Sequence, residues 1–167
     1  MIVMRPSGLT RADLFQTNHR LETTGISVLF TDTPSDPRIG VRILDNRDAS
    51  QAFLSITYHY VVRSDGRIEI GRNPKTVSTR GRVTAHHCNL YVGVVGGRTK
   101  DGWPDYSITD AQHEATERLM QEISNVLNTP LEITGNVYQI VDVPDEADQE
   151  ADDWSDEQTL ILDTTEI

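Results

Sequence analysis

The segment Tyr58-His59-Tyr60-Val61-Val62-Arg63-Ser64-Asp65-Gly66-Arg67-Ile68-Glu69-Ile70-Gly71-Arg72 constrains this chain more than any other. Ile56 to Val62 is rich in Tyr, Val and Thr and is predicted to be a strand. Ser64-Asp65-Gly66-Arg67 then predicts a tight turn, because an Asp-Gly pair supplies the positive φ that hairpin turns need. Arg67 to Gly71 is the return strand. A β-hairpin is therefore fixed in the middle of the chain, and the rest has to be arranged around it.

Before the hairpin, Ile26-Ser27-Val28-Leu29-Phe30 is apolar, partly β-branched and bounded by Gly25, the pattern of a buried strand. Leu9 to Arg20 is a short candidate helix, Thr31 to Gly40 a loop with two prolines, and Val41 to Phe53 a weak helical pattern. After the hairpin, Leu90 to Val95 is an apolar run closed by Gly96-Gly97 and predicts a central strand. Thr99 to Tyr106 predicts a loop around Gly102 and Pro104. Thr109 is a candidate N-cap with Asp110 in the first turn. The helix it starts places Ala115, Leu119, Met120, Ile123, Val126 and Leu127 on one face and stops before Pro130. Leu131-Glu132-Ile133 is a last strand, leading into Gly135-Asn136. Strands and helices mix without a clean alternation, which predicts an α/β fold with a mixed central sheet flanked by helices. The expected divisions are an N-terminal extension (1–25), one domain (26–144) and an acidic tail (145–167).

Charge is distributed unevenly. The net charge is -11, yet eleven of the 26 carboxylates lie between Asp142 and Glu166, where there is no Lys or Arg. What remains is balanced, 15 acidic against 15 basic residues. Binding nucleic acid through bulk charge needs excess Lys and Arg, so that function class is excluded. No stretch approaches the roughly 20 apolar residues that span a bilayer. The first residues, Met1-Ile2-Val3-Met4-Arg5-Pro6, show no charged region followed by an apolar one, so no signal peptide is expected. The one cysteine, Cys88, allows no intramolecular disulfide and suits a reducing compartment. The expectation is a soluble protein of the cytoplasm.

The hairpin resembles the signature of type 2 N-acetylmuramoyl-L-alanine amidases and peptidoglycan-recognition proteins: a YHF-like strand, an R-D-G turn, and a strand ending E-x-G-R. Gly40-Val41-Arg42 precedes Tyr58 at the spacing seen in the small T-odd phage lysozymes, which are amidases of this family. Asn89 and Val92-Gly93-Val94-Val95-Gly96-Gly97 resemble the family's N-S-x-G-x-x-x-x-G-G strand, and Ile108-Thr109-Asp110-Ala111-Gln112 its F-T-x-A-Q helix start. The resemblance spans roughly residues 26–144 and implies the amidase fold. It also implies a chemistry: zinc on two His and a Cys or Asp, with an open position for water. The metal activates that water and polarises the amide between muramic acid and L-alanine, while a Tyr and a Lys or Thr stabilise the oxyanion.

Matched position by position, the resemblance predicts that this chemistry is missing. Thr31 takes the place of the first His ligand, in Phe30-Thr31-Asp32-Thr33, and Asn136 that of the second, in Gly135-Asn136. The third falls at Val143-Pro144-Asp145, with Pro144 at the ligand place and Asp145 reaching it only by a register shift. The electrophilic Lys falls near Asp142, of opposite charge. Tyr58 alone is retained from the catalytic set, and it is expected to be vestigial. Thr and Asn are weak neutral zinc donors, so no metal and no cofactor are expected.

His86-His87-Cys88 has zinc-binding atoms, but adjacent side chains diverge, and a zinc site needs ligands converging from separated segments. The plainer reading is two loop histidines and a small, partly buried thiol. Cys88 as a nucleophile beside a His is a weaker alternative. His59, next to Tyr58 on a strand, should face away from it, and His19 and His113 bear no spacing to the others. Gly93, Gly96 and Gly97 lack the Gly-Lys-Ser/Thr of a phosphate loop and suit close strand packing. Trp103 and Tyr106 are either a partner-binding patch or a lid over the sheet.

Two function classes compete. One is a pseudoenzyme, phage-encoded, that binds a protein partner or forms part of the virion. The resemblance implies a polymerase as one such partner, because a T-odd phage lysozyme also inhibits its phage's RNA polymerase. The tail, with Trp154, Leu160, Ile161 and Leu162 among carboxylates, fits a segment that folds on a partner, or a solubilising tail. The other class is an active amidase cleaving peptidoglycan with zinc on Asp145, His86 or His87. Peptidoglycan binding without cleavage is a third option. The expected location is the infected host's cytoplasm or the virion.

Overall fold

The strands β2 (Gly25–Phe30) and β6 (Asn89–Val94) are apolar and buried along nearly their whole length, as strands covered on both faces must be. The computed structural model describes residues 3–4, 20, 22–51, 53, 55–78 and 88–137. Among them, β1 (Val3–Met4), β2 (Gly25–Phe30), β4 (Tyr60–Val62), β5 (Ile68–Ile70), β6 (Asn89–Val94) and β9 (Glu132–Thr134) form one sheet in the order β1-β5-β4-β6-β2-β9. Neighbours are parallel except β4 with β5, the two arms of the hairpin. A small second sheet, β3-β7-β8, joins β3 (Thr33–Pro34), β7 (Gly97–Arg98) and β8 (Pro104–Asp105).

One helix covers each face of the large sheet. Ile26, Val28, Phe30, Val62, Leu90, Val92 and Val94 pack on α2 (Asp110–Leu127) through its Ala115, Leu119, Met120 and Ile123. The other face packs Leu29, Tyr58, Val61 and Tyr91 on α1 (Val41–Ser50) through Val41 and Leu44. Each fully buried side chain of this size contributes roughly 1.5–3 kcal/mol. The mixed α/β architecture expected from the sequence is the one observed. β6 lies between β2 and β4, as a central strand should.

Local signals behave as expected. Gly66 has φ 78 in the Asp65-Gly66 turn, and Asp65 Oδ1 accepts from the Arg67 N–H at 3.1 Å. Thr109 accepts from Gln112 N at 3.1 Å and Gln112 Oε1 accepts from Thr109 N at 3.1 Å, a complete capping box.

Three expectations are corrected. Val126 and Leu127 are not on the buried face: they are 83% and 37% exposed. With Tyr60, Ile70 and Leu90, the last turn of α2 lines an open apolar groove of about 570 Å³. The strand predicted from Ile56 begins at Tyr60. The N–H groups of Ile56 and Thr57 go instead to the side chains of Asp45 (2.7 Å) and Asp48 (2.9 Å) on α1. The loops at 31–40 and 99–106 contain the short strands β3 and β8. The candidate helix from Leu9 lies, up to His19, outside the described residues.

Candidate functional site

In sheets with parallel strands, ligands collect beyond the carboxyl ends of the strands. β2 leaves the sheet there through Thr31-Asp32-Thr33, and β9 through Gly135-Asn136. Gly135 has φ 127, and a Cβ on it would stand 1.9 Å from the Val28 carbonyl oxygen, so no other residue fits. The chain then brings Asn136 Oδ1 within 3.0 Å of the Phe30 N–H, where it accepts the hydrogen bond a neighbouring strand would otherwise take. Thr31 is buried. Its Oγ1 lies 2.7 Å from Thr33 Oγ1 and accepts from Gly96 N at 3.4 Å. Tyr58 is also fully buried, and its hydroxyl donates to the Phe30 carbonyl at 3.3 Å. Its ring lies on Gly93, where a Cβ would come within 2.9 Å of it. The structure thus gathers Thr31, Asn136 and Tyr58, three positions singled out in the sequence, around the end of β2.

A cleft of about 300 Å³ opens beside them, lined by Thr31, Asp32, Arg47, Asp48, Gln51, Phe53 and Thr57. Arg47 donates to the Thr31 carbonyl and, at 3.0 and 3.2 Å, to Asp48 Oδ1. Asp48 Oδ2 accepts from the N–H (2.9 Å) and hydroxyl (3.0 Å) of Thr57. Sequence reasoning missed Arg47, Asp48 and Gln51. The only signal was polar residues closing an otherwise weak helical pattern. A cleft with a guanidinium, a carboxylate and an amide can hold peptide amides and carboxylates by paired hydrogen bonds.

On the rim, Asp32 adopts φ 60, and its Oδ1 accepts from Arg98 Nε at 2.6 Å, which raises the Arg98 pKa. Tyr106 is 52% exposed with its ring 5.8 Å from that of Phe30, and Trp103 is 72% exposed. Neither therefore seals the sheet as a lid would.

Among the described residues, those at the ends of β2 and β9 do not fit a zinc ion. Thr31 and Asn136 offer neutral oxygens already engaged in hydrogen bonds, whereas zinc takes imidazole, thiolate or carboxylate. Among the described residues, no three His, Cys, Asp or Glu side chains converge. His59 is buried, with Nδ1 accepting from Tyr91 N and Nε2 donating to the Thr76 carbonyl, each at 2.9 Å. His113 stands on α2, 3.5 Å from Glu117. Cys88 is a half-buried free thiol. His19, His86, His87, Asp142, Pro144, Asp145, Trp154, Leu160, Ile161 and Leu162 lie outside the described residues.

No protein-family model matches the chain. It is 33% identical over 110 residues to the endolysin of Klebsiella phage KP32, covering 65% of this chain and 71% of that protein. It is 29% identical over 105 residues to the endolysin of Escherichia phage T7, covering 63% and 69%. Among solved structures, the N-acetylmuramoyl-L-alanine amidase LysC from Clostridium intestinale superposes with TM-score 0.60 at 14% identity, over 81% of this chain and 82% of that one. The ectodomain complex of peptidoglycan recognition proteins LCa and LCx, bound to tracheal cytotoxin, gives TM-score 0.63 at 17% identity, over 81% and 84%.

Proposed function

The chain belongs to the endolysin family of the T7-like phages, an amidase-like family, and from that premise we propose that it binds peptidoglycan without hydrolysing it through a zinc centre. The observation that carries this reading is the donor set at the strand ends. Thr31 Oγ1 and Asn136 Oδ1 stand where the resemblance puts ligands, and both are spent on holding the backbone. The polar cleft beside them remains, and its Arg47, Asp32 and Gln51 suit the amides and carboxylates of a peptide stem. Binding there needs orientation and charge pairing only, with no activated water.

Zinc analysis of the purified full chain and dye release from labelled cell walls test this together. The expected result is substoichiometric zinc and no release, with protein still pelleting with purified walls. Stoichiometric zinc with dye release overturns it and establishes the second reading: an active amidase with its site completed by His86, His87 or Asp145. The relatives' being endolysins favours that second reading. A protein partner, such as a polymerase or a virion protein, is the third. It draws on the carboxylates between Asp142 and Glu166; equal capture of the same partner by the full chain and by a chain ending at Val143 would show that this acidic segment does not recruit it, and capture of no partner by either would count against the reading.

A further inference from the structure

Exposed tryptophan is the costliest side chain to leave in water, and Trp103 stands 72% exposed at the base of the turn that joins β7 to β8. The backbone beneath it is held firmly. Thr99 N donates to the Trp103 carbonyl at 2.8 Å, Gly102 N to the Thr99 carbonyl at 3.0 Å, and Trp103 N to Thr99 Oγ1 at 3.1 Å. Gly102 takes φ 86 in this turn, and its carbonyl accepts from Arg98 Nη1 at 2.9 Å. The same guanidinium binds Asp32, a residue that lines the polar cleft. The Arg98–Asp32 ion pair therefore ties the hairpin to the wall of the cleft. Tyr106, also exposed, is steadied by its contact with Phe30 at the end of β2.

We propose that this hairpin is a glycan platform, in which Trp103 and Tyr106 stack on pyranose rings of the polysaccharide strand whose peptide stem enters the neighbouring cleft. The proposal rests on the wall-binding reading above. A pyranose ring has an apolar face of C–H bonds and an edge of hydroxyls, so it is met by an aromatic plane with polar groups beside it. The hairpin has that composition: two exposed rings set among Arg98, Lys100, Asp101 and Asp105, with both signs of charge present. A protein-docking hot spot would instead need a contiguous, desolvated apolar centre. Fixing the backbone beforehand reduces the entropy cost of binding.

The test uses the full chain, purified cell walls and an N-acetylglucosamine tetramer. Wild type, Trp103→Ala, Trp103→Phe and Tyr106→Ala are compared by co-sedimentation with walls and by calorimetric titration of the tetramer, with thermal melting to confirm folding. Trp103→Ala is expected to weaken both interactions about tenfold, the scale of one aromatic stack, and Trp103→Phe to restore most of the loss. Wild type pelleting with walls while Trp103→Ala pellets equally well overturns the platform and leaves wall binding standing. Loss of wall binding by Trp103→Ala with no heat from the tetramer in wild type overturns the glycan assignment. Wild type failing to pellet overturns the wall-binding reading and this proposal together.

Discussion

His59 neighbours Tyr58 in the chain but serves the opposite side of the backbone. Both its ring nitrogens are used inside the protein, between Tyr91 N and the Thr76 carbonyl, which fixes the proton on Nε2. Burial is the main influence on its pKa and pushes it down to about 3. The Thr76 carbonyl opposes this, and the charges of Arg20 and Arg72 add to it. In the unfolded chain the imidazole titrates near the ordinary value of 6.5. Between these two values the unfolded chain binds more protons than the folded one, so stability present above about pH 6.5 is lost as pH falls towards about 3. The expected outcome is a urea midpoint that declines between neutral pH and about pH 4. His59→Gln should be less stable at neutral pH by about 1–3 kcal/mol, because a buried partner is lost, and should show a shallower decline. Equal slopes in the two proteins would show that His59 is not the group responsible.

The hairpin explains why its sequence is so specific, and the explanation is structural. Glu69, on β5, accepts from the first N–H of α1, that of Val41, at 2.7 Å and from Arg63 at 3.0 Å. Gly40, the residue before the helix, provides no side-chain cap, and a Cβ there would meet Glu69 Oε2 at 2.6 Å. The hairpin thus caps the helix from outside. Arg72 is fully buried and donates to the carbonyls of Ile56 and Val77 and to Ser55 Oγ, tying down the irregular stretch before β4. Glu69→Ala is expected to cost about 2 kcal/mol in urea unfolding, from a lost cap and the lost ion pair with Arg63, and Glu69→Gln about half of that. A loss below about 0.5 kcal/mol, the range of an ordinary surface change, would mean that solvent replaces the cap. The same elements show what the sequence makes legible. β2, β6, the Asp65-Gly66 turn and the Thr109 cap are read correctly because their signals lie within a few residues. The stretch Ile56–His59 is read as strand because nothing local reveals that Asp45 and Asp48 take the N–H groups of Ile56 and Thr57. Val126 and Leu127 keep the period of the buried face, but the period does not show that they border an open groove. At the site, family resemblance singles out Thr31 and Asn136, while their hydrogen bonds to one strand end emerge only in three dimensions.

Across the whole molecule, charge separates into a balanced body and an acidic end. The eleven carboxylates between Asp142 and Glu166 account for the entire net charge of -11. Peptidoglycan carries carboxylates on its peptide stems, so a body that binds it works against repulsion from its own C-terminal segment. That repulsion is screened by salt, with a Debye length of about 30 Å at 0.01 M and about 8 Å at 0.15 M. Wall binding by the full chain is therefore expected to strengthen as salt rises through this range, the reverse of the usual trend for binding driven by charge attraction. A chain ending at Val143 loses the acidic residues beyond that point. It should bind walls more tightly at low salt and respond little to added salt, with an unchanged melting temperature. Co-sedimentation of both chains across the salt series decides the matter. If the shortened chain binds more weakly at every salt concentration, the segment makes attractive contacts of its own, and the balanced body with its cleft at Thr31 and Arg47 is not sufficient for binding.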